Sequence, residues 1–245
     1  MIILWSDDNY VAIDKPAGLA VIPGRGEKTS ALEQLAHDLG LPFAGSDDPR
    51  VRVVHRIDKD TSGVVLFAKN RPAQQHLSHQ FQNNTVEKQY VALVAGRPPE
   101  QRGEIDAPMQ VHPTRPKQMT ISKHGRPARS LWQVEETFRG SALVRVFPKT
   151  GKTHQIRVHL KSIGLPLLID PLYNPDGVAA LMLSSFKRGY RPKHGEEERP
   201  LITRLTLHAE RVRFKNMAGE MIEVVAPWPK DFRSAVNMLR KYGSR

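Results

Sequence analysis

Apolar positions along the chain fall into short segments with two different spacings. Segments that are continuously apolar, or that alternate with polar residues, predict strands. These strands are expected at residues 2–5, 10–14, 51–54, 63–69, 88–96, 128–138, 141–147, 203–214 and 220–226. Apolar residues that recur every three or four positions predict helices at residues 30–40, 71–83, 153–164 and 230–242.

Polar residues at the ends of these segments mark where the helices begin and end. Ser30 followed by Glu33 matches a capping box, and Gly40 ends the same helix. Thr153 is expected to cap the third helix, which Gly164 closes. Arg157 lies at the border of that helix's apolar stripe, so its side chain must either reach solvent or meet a buried partner.

Long strands combined with a few helices, without regular strand–helix–strand alternation, predict an α+β fold. Its sheet should be mixed and largely antiparallel, flanked by helices and loops. Residues 97–127 and 186–200 are expected to be irregular, and residues 216–219 to connect the last two strands as a hairpin. A chain of 245 residues is long enough to bury a full core, as one large domain or two small ones.

The charge balance points to a polyanionic partner. Lys and Arg number 37 against 25 Asp and Glu, which gives a net charge of +12. The basic residues are spread along the chain, with local groups at 112–126 and 187–194, so a folded basic surface that contacts nucleic acid is favoured over a generic basic enzyme. The chain has no cysteine, no signal peptide and no apolar run near the roughly 20 residues of a membrane span. We therefore expect a cytoplasmic protein without a membrane contact.

Residues 55–63 concentrate reactive side chains between two predicted strands. The segment reads His55-Arg56-Ile57-Asp58-Lys59-Asp60-Thr61-Ser62-Gly63. Such a loop can present catalytic groups on a rigid support, although the same composition also suits a solvated turn. Phosphate-loop, dinucleotide-binding and GxSxG motifs are absent, and no histidine pair has metalloprotease spacing, so a structural metal has little support from the sequence.

A carboxylate such as Asp58 can act as a nucleophile or as an acid/base if its charge state is controlled. A buried arginine beside it would keep it ionised, which suits attack at an electron-poor carbon such as a glycosidic C1′ or a pyrimidine C6. Hydrolysis by a carboxylate pair needs two carboxyl groups at a set separation, and Asp60 is the only second carboxyl nearby in sequence.

Several segments, in the same order, resemble the motifs of the RluA-type pseudouridine synthases. Residues 55–63 are similar to that family's signature His-Arg-Leu-Asp-x-x-Thr-Ser-Gly. The other matches are Asp14-Lys15-Pro16-Ala17-Gly18, Lys88-Gln89-Tyr90, the block from Gly151 to Leu160, Asp170-Pro171-Leu172-Tyr173 and Leu207-His208-Ala209. Departures such as Ile57 for Leu and Lys152 for Arg leave the proposed chemistry unchanged, whereas Ile169 and Asn174 replace glycines and affect a local turn.

The resemblance implies a role for each matched residue. Asp58 would be the catalytic aspartate, Tyr90 would stack on the uracil and assist proton abstraction, and Arg157 would pair with Asp58. Arg56 would fill the place of the flipped nucleotide, and Leu207 would line the uracil pocket. The substrate-binding set is then His55, Arg56, Thr61, Ile156 and Leu207. Asp60 becomes a residue that structures the loop.

The resemblance also implies how the whole protein works. Residues 1–245 would form a single catalytic domain with the pseudouridine synthase fold. One arrangement of this domain is two closely packed halves with the catalytic cleft between them. The enzyme would act as a monomer on rRNA or tRNA without cofactor or metal, as an isomerase. The chain begins too near the matched motifs to hold the S4 domain of many relatives, so its own loops would choose the uridine.

Two other functions remain open at this point. The chain could be a non-catalytic RNA-binding or RNA-folding factor that keeps the same fold. It could also be a base-excising or glycosidic hydrolase that uses Asp58. The Asp58, Tyr90 and Arg157 set favours the synthase over the non-catalytic factor.

Overall fold

A computed structural model describes residues 1–24, 28–45, 48, 50–192 and 196–243. The chain folds into two compact units, the first of Met1–Tyr90 with His208–Pro227 and the second of Val91–Leu207 with Trp228–Arg245. The helices and strands follow the predicted mixture closely enough to confirm the α+β class. That the chain acts as a single catalytic domain stays a prediction.

The first unit is built on a sheet with a helix on each face. Its elements are β1 (Ile2–Ser6), β2 (Tyr10–Lys15), α1 (Ala31–Leu39), β3 (Arg52–Val53), β4 (Ser62–Ala68), α2 (Arg71–Gln82), β11 (Leu207–Lys215, whose first residue belongs to the second unit) and β12 (Met221–Val225). Strand order is β1-β2-β4-β11, with β3 beside β4 and β12 beside β11. Pairing is antiparallel except between β4 and β11, which run parallel.

Strand β4 is buried along its whole length, which explains its continuous apolar sequence. Alternate side chains point to opposite faces of the sheet. Leu66 packs in a cluster with α2 residues such as Leu77. Val65 and Phe67 pack in a second cluster with α1 residues such as Leu35. The strand therefore anchors both cores of this unit, and the predicted catalytic loop enters directly into it.

Gly63 is required at the point where β4 lies beside β11. Its φ is +115°, which side chains rarely adopt, and a Cβ atom there would clash with the backbone carbonyl of Ala209, its pairing partner. This close approach explains why glycine ends the 55–63 motif.

We expect Gly63→Ala to lower the free energy of unfolding by about 3 kcal/mol or more, because it combines backbone strain with a clash. Gly219→Ala is the matched control, since Gly219 also has a positive φ of 82° but nothing lies near its missing Cβ. That control should cost about 1–2 kcal/mol. Urea unfolding measures both, and equal losses in the two variants would contradict the packing argument.

The second unit holds four further sheet strands, a two-stranded ribbon and the remaining helices. Its elements are β5 (Glu87–Ala95, which begins in the first unit), β6 (Arg102–Asp106), β7 (Met109–Val111), β8 (Met119–Ile121), β9 (Arg129–Phe138), β10 (Ser141–Pro148), α3 (Gln155–Ser162), a 3-10 turn (Leu183–Ser185) and α4 (Lys230–Tyr242). Strand order is β5-β10-β9-β6, while β7 and β8 form a separate ribbon. Helix α4 covers this core with Phe232, Val236 and Leu239.

Three sequence predictions need correction. Residues 97–127 are not irregular, because they contain β6, β7 and β8; β6 carries one buried apolar residue, Ile105, and so shows no apolar period. The third helix is not capped by Thr153. His154 precedes it with a left-handed φ of 54° and makes no side-chain cap. The side chain of Gln155 instead organises this corner, accepting hydrogen bonds from the Thr150 hydroxyl (2.7 Å) and the Lys152 N–H (3.0 Å).

The third correction concerns strand length. The strand predicted at 51–54 is reduced to Arg52–Val53, and that predicted from 203 begins at Leu207. The described parts of 186–200 contain no helix or strand, as predicted, and the 216–219 turn joins β11 to β12. Residues 193–195, within the predicted basic loop, and residues 25–27, of which Arg25 and Gly26 were predicted as loop, lie outside the described residues.

Candidate active site

The loop that carries Asp58 connects the antiparallel strands β3 and β4 of the first unit. Within it, the Thr61 N–H donates to the Asp58 carbonyl over 3.1 Å and closes a turn. The Gly18 N–H donates to the Lys59 carbonyl over 3.0 Å, which ties the loop to the segment after β2. Asp58 is half-buried, whereas Arg56 and Asp60 are exposed. The loop is thus held at its backbone while selected side chains remain accessible.

Lys15 holds the same loop from beneath. Its side chain is 0% exposed. Its ammonium donates to the carbonyls of Pro16 (2.8 Å), Leu19 (2.7 Å) and Lys59 (2.9 Å). A buried charge is costly unless it is hydrogen-bonded, and these three acceptors offset that cost. The Asp-Lys-Pro-Ala-Gly motif therefore supports the Asp58 loop, a role that sequence reasoning did not assign to it.

His55 contributes to the loop's rigidity as a neutral ring. Its Nε2 accepts the Leu66 N–H over 2.9 Å, and its ring stacks on Phe81 with centroids 4.4 Å apart. Burial first, and the charge of Lys88 second, lower the pKa of His55 from 6.5 to about 3. His55 therefore joins the start of the loop to β4 and α2, and whether it also touches substrate stays a prediction.

The depressed pKa of His55 makes a prediction about acid stability. The unfolded side chain binds a proton near pH 6.5, while the folded one stays neutral down to about pH 3. Stability from this group is therefore present above the unfolded pKa and is lost as the pH falls towards the folded pKa. Between pH 6.5 and pH 5 the free energy of unfolding should fall by at most about 2 kcal/mol, since each pH unit contributes about 1.36 kcal/mol. The actual fall should be smaller, because the ring is partly exposed and solvent screens its charge.

His55→Gln should remove this part of the acid sensitivity, because its amide oxygen can still accept the Leu66 N–H but does not titrate in this range. Urea unfolding of both proteins at about pH 7 and pH 5 measures the difference. Equal losses of stability on acidification would show that His55 does not titrate as described.

Tyr90 lies close enough to Asp58 for the charge of that carboxylate to raise the pKa of its phenol. Burial of the ring first, and the carboxylate of Asp58 second, raise the pKa of the Tyr90 phenol well above its ordinary value. The phenol is therefore protonated at neutral pH. The first unit thus brings together two of the three predicted catalytic residues.

The Leu-His-Ala motif fixes the strand that pairs with β4. His208 is fully buried, and its Nδ1 lies 2.9 Å from the Ser62 hydroxyl. Its Nε2 lies 3.3 Å from the Ala226 carbonyl, so Nε2 carries the proton and Nδ1 accepts from Ser62. The motif therefore has a structural role in locking β4 to β11, in addition to the predicted pocket role of Leu207.

Arg157 meets a buried partner in the second unit. Its guanidinium donates twice to the Asp170 carboxylate, Nε to Oδ2 and Nη2 to Oδ1, each over 2.8 Å. The side chains of Arg157 and Asp170 are 5% and 0% exposed. The ring of Tyr173 adds a cation–π contact, with its centroid 4.9 Å from the guanidinium carbon. The fold thus supplies the partner that an arginine at the border of a buried face requires.

Asp170 is in turn held by its neighbours. Its Oδ1 also accepts the N–H groups of Leu172 (3.0 Å) and Tyr173 (3.1 Å). The Tyr173 hydroxyl accepts the Met119 N–H over 2.8 Å and lies 2.7 Å from Nδ1 of His154. The Asp-Pro-Leu-Tyr segment therefore positions the Arg157 guanidinium. Sequence reasoning identified this motif without giving Asp170 a role, although the border position of Arg157 was the signal that a carboxylate partner existed.

The remaining predicted substrate-binding residues differ in exposure. Arg56 is exposed, and its side chain makes no hydrogen bond or ion pair within the described part of the chain. Thr61 is 1% exposed, and its buried hydroxyl has no hydrogen-bond partner among the described residues. Ile156 and Leu207 are buried in the second unit. The roles of all four in binding uridine stay predictions, as does the pairing of Arg157 with Asp58.

Two other kinds of feature are absent from the described residues. Within residues 1–24, 28–45, 48, 50–192 and 196–243, no group of three or more His, Asp or Glu side chains is arranged to hold a metal ion. Over the same ranges, no helix combines the length and apolar character needed to cross a membrane.

Residues 9–162 match the sequence profile of the family described as RNA pseudouridylate synthase. The chain belongs to this family. The match spans the Asp58 loop, Tyr90 and Arg157, so the resemblance inferred from the motifs is confirmed. Family membership also makes the chain an isomerase by class, acting on uridine in RNA.

Individual relatives agree with this assignment. The chain is 46% identical over 173 residues to ribosomal large subunit pseudouridine synthase D of Nitrosomonas europaea, covering 70% of this chain and 49% of that protein. It is 35% identical over 244 residues to the protein of the same name from Haemophilus ducreyi, covering 97% of this chain and 70% of that protein. The first match therefore spans about half the length of that relative.

A solved structure shows the same fold. Human RNA pseudouridylate synthase domain containing 4 is similar to this chain with a TM-score of 0.72 and 29% identity, covering 98% of this chain and 93% of that one. The predicted pseudouridine synthase fold is therefore confirmed.

Proposed function

We propose that this chain isomerises a uridine of ribosomal RNA to pseudouridine, with Asp58 as the catalytic aspartate. The observation that carries the proposal is the placement of Asp58 on a backbone-pinned loop, close enough to Tyr90 to raise the pKa of its phenol. Lys15 and Gly18 both bond the carbonyl of Lys59, the residue after Asp58. A catalytic group needs such a rigid support to hold one productive geometry.

The proposed reaction conserves every atom of the nucleoside. The N1–C1′ bond breaks, the uracil turns, and C5 bonds to C1′; the proton on C5 leaves to a base, and N1 gains a proton. Asp58 would attack the substrate or stabilise the charge that develops when the glycosidic bond opens. Because nothing is oxidised, reduced or lost, the isomerisation balances without a co-reactant.

Tyr90 would act on the base in two stages. Its protonated phenol first supplies a face on which uracil can stack. One of the two causes of its raised pKa is the Asp58 carboxylate. If Asp58 forms an adduct, its charge disappears, and the pKa of the Tyr90 phenol falls. The phenol would then release its own proton more readily, as it must before it can accept the proton from C5.

The other site residues would hold the flipped nucleotide. Reaching a stacked uridine costs a few kcal/mol of unstacking. Arg56, an exposed residue of the loop, would take the nucleotide's place in the RNA. Arg157 would pair with Asp58 as well as with Asp170, and His55, Thr61, Ile156 and Leu207 would complete the pocket. We propose that all of residues 1–245 form one catalytic domain that acts as a monomer in the cytoplasm.

Ribosomal RNA is the proposed substrate because relatives that cover most of this chain carry the ribosomal large subunit in their names. Transfer RNA is the other RNA class to test. The net charge of +12 suits either, because sequence-independent contact with phosphates dominates affinity for nucleic acid.

Release of tritium from RNA labelled at uracil C5 tests the proposal. Transcripts of ribosomal RNA should release tritium without release of free uracil, because the base stays attached through C5. Free uracil would instead indicate a glycosidic hydrolase. Binding without any release, on both ribosomal and transfer RNA, would indicate a non-catalytic RNA-binding protein.

A further inference from the structure

A basic cavity lies in the second unit, and none of its lining residues belongs to the predicted catalytic set. It has a volume of about 660 Å³. The side chains that define it are those of Arg97, Phe138, Arg139, Phe186, Arg188 and Tyr242. A volume of this size matches sites that hold a nucleotide-sized ligand and exceeds what one inorganic anion needs.

Backbone hydrogen bonds hold the walls of this cavity together. The Gly96 N–H donates to the Gly140 carbonyl over 3.0 Å, which joins the end of β5 to the turn between β9 and β10. The Arg139 N–H donates to the Gly243 carbonyl over 2.8 Å, which joins the same turn to the end of α4. Phe138 is buried and packs in the hydrophobic core of this unit. Arg97 and Arg139 are therefore displayed on supported backbone.

The three arginines of the cavity are all exposed. Within the described part of the chain, none of their guanidinium groups has an ion-pair or hydrogen-bond partner. Arg240 on α4 offers a contrast, because it forms an ion pair with Glu136. Among the described residues, no carboxylate lines the cavity. Because no carboxylate neutralises these guanidinium groups, their combined positive charge attracts an anion from outside the protein.

Two lysines add charge around Tyr242. The Lys187 ammonium lies 4.5 Å from the centre of the Tyr242 ring, and the Lys241 ammonium lies 5.3 Å from it. The cavity and its border thus bring together three arginines, two lysines and an aromatic ring. The basic group at 187–194 is visible in the sequence, but Arg97 and Arg139 join it only in the folded unit.

We propose that this cavity binds the sugar–phosphate backbone of a single-stranded stretch of the substrate RNA. Arginine forks bind phosphodiester oxygens bidentately, and the Tyr242 ring offers a surface for a base or ribose. A concave site with aromatic lining fits a single strand, whose bases and phosphates can both enter it. The inference rests on the proposed function in one respect, namely that RNA is the substrate.

Fluorescence anisotropy with a short fluorescein-labelled oligouridylate tests the cavity directly. The cavity variant is Arg97→Ala with Arg139→Ala and Arg188→Ala. The matched control removes three exposed cations of the same unit that do not line the cavity, through Arg102→Ala, Lys161→Ala and Arg233→Ala. A third variant, with lysine at all three cavity positions, keeps the charge. Thermal unfolding followed by circular dichroism establishes that each variant is folded.

The cavity variant should bind the oligouridylate about tenfold or more weakly, and the control by less than about threefold. The slope of log affinity against log salt should fall by about 2, since three phosphate contacts contribute about 0.7 each. The lysine variant should retain most of that slope. Equal binding by the cavity and control variants would overturn the proposal, as would equally effective competition by polyglutamate, which would indicate an acidic protein partner.

Tritium release separates this proposal from the proposed function. With a ribosomal RNA transcript, the cavity variant should show a raised KM and an unchanged kcat. A wild-type protein that binds RNA through the cavity but releases no tritium would refute the synthase assignment alone. An active protein whose cavity variant keeps its affinity and its KM would refute the cavity assignment alone.

Discussion

Asp58→Ala is expected to abolish turnover while leaving RNA binding nearly intact. The variant removes the only carboxylate that the proposed chemistry uses, and the tritium-release rate should fall by about 10³-fold or more. The loop itself should survive, because Lys15, Gly18 and Thr61 all bond it through backbone carbonyls, which the substitution leaves in place. Single-turnover tritium release and anisotropy with labelled RNA measure the two effects separately.

Asp60→Ala is the matched control for this prediction. Asp60 lies two residues away in the same loop, carries the same charge and is exposed. Its removal should change the tritium-release rate by only a few-fold. Near-normal activity in Asp58→Ala, or equal losses in the two variants, would contradict the assignment of Asp58.

Asp170→Ala is expected to be among the most destabilising substitutions in the chain. It deprives a guanidinium that is 5% exposed of the carboxylate that accepts two of its hydrogen bonds. It also leaves the N–H groups of Leu172 and Tyr173 without that acceptor. Removing one partner of a buried pair costs about 3–5 kcal/mol, because the other charge stays buried. Urea unfolding measures the loss.

Glu136→Ala provides the comparison for the buried pair. Glu136 also forms an ion pair with an arginine, Arg240, but both side chains are substantially exposed. Its loss should cost about 1 kcal/mol or less, because solvent screens exposed pairs. A similar cost in both variants would show that the Arg157–Asp170 pair is not buried as described.

Local sequence signals predicted much of the fold. The capping box at Ser30 and the left-handed glycine at Gly40 both appear at the ends of α1. Helix α2 begins at Arg71 as predicted, and α4 has the predicted bounds. These signals could be read because each depends on residues only a few positions apart. Strands β6, β7 and β8 could not be predicted in this way, because they are defined by their pairing with other strands and not by an apolar period.

The contacts that support the site could not be predicted either, because they join residues far apart in the sequence. Asp58 and Tyr90 could be identified from motifs, but Lys15 bonds a carbonyl 44 residues away, and His208 contacts a hydroxyl 146 residues away. Arg157 and Asp170 are 13 residues apart and come together only because the chain turns back after α3. A buried charge predicts that a partner exists, whereas the fold alone identifies it.

Mapping pseudouridines in ribosomal RNA from cells with and without this gene tests the role of Asp58 in its natural setting. At least one pseudouridine should be absent when the gene is deleted, and the wild-type protein and Asp60→Ala should both restore it. Asp58→Ala should not restore it, although the protein accumulates to the same level. Identical maps with and without the gene, or restoration by Asp58→Ala, would contradict the proposal that Asp58 converts a uridine of ribosomal RNA to pseudouridine.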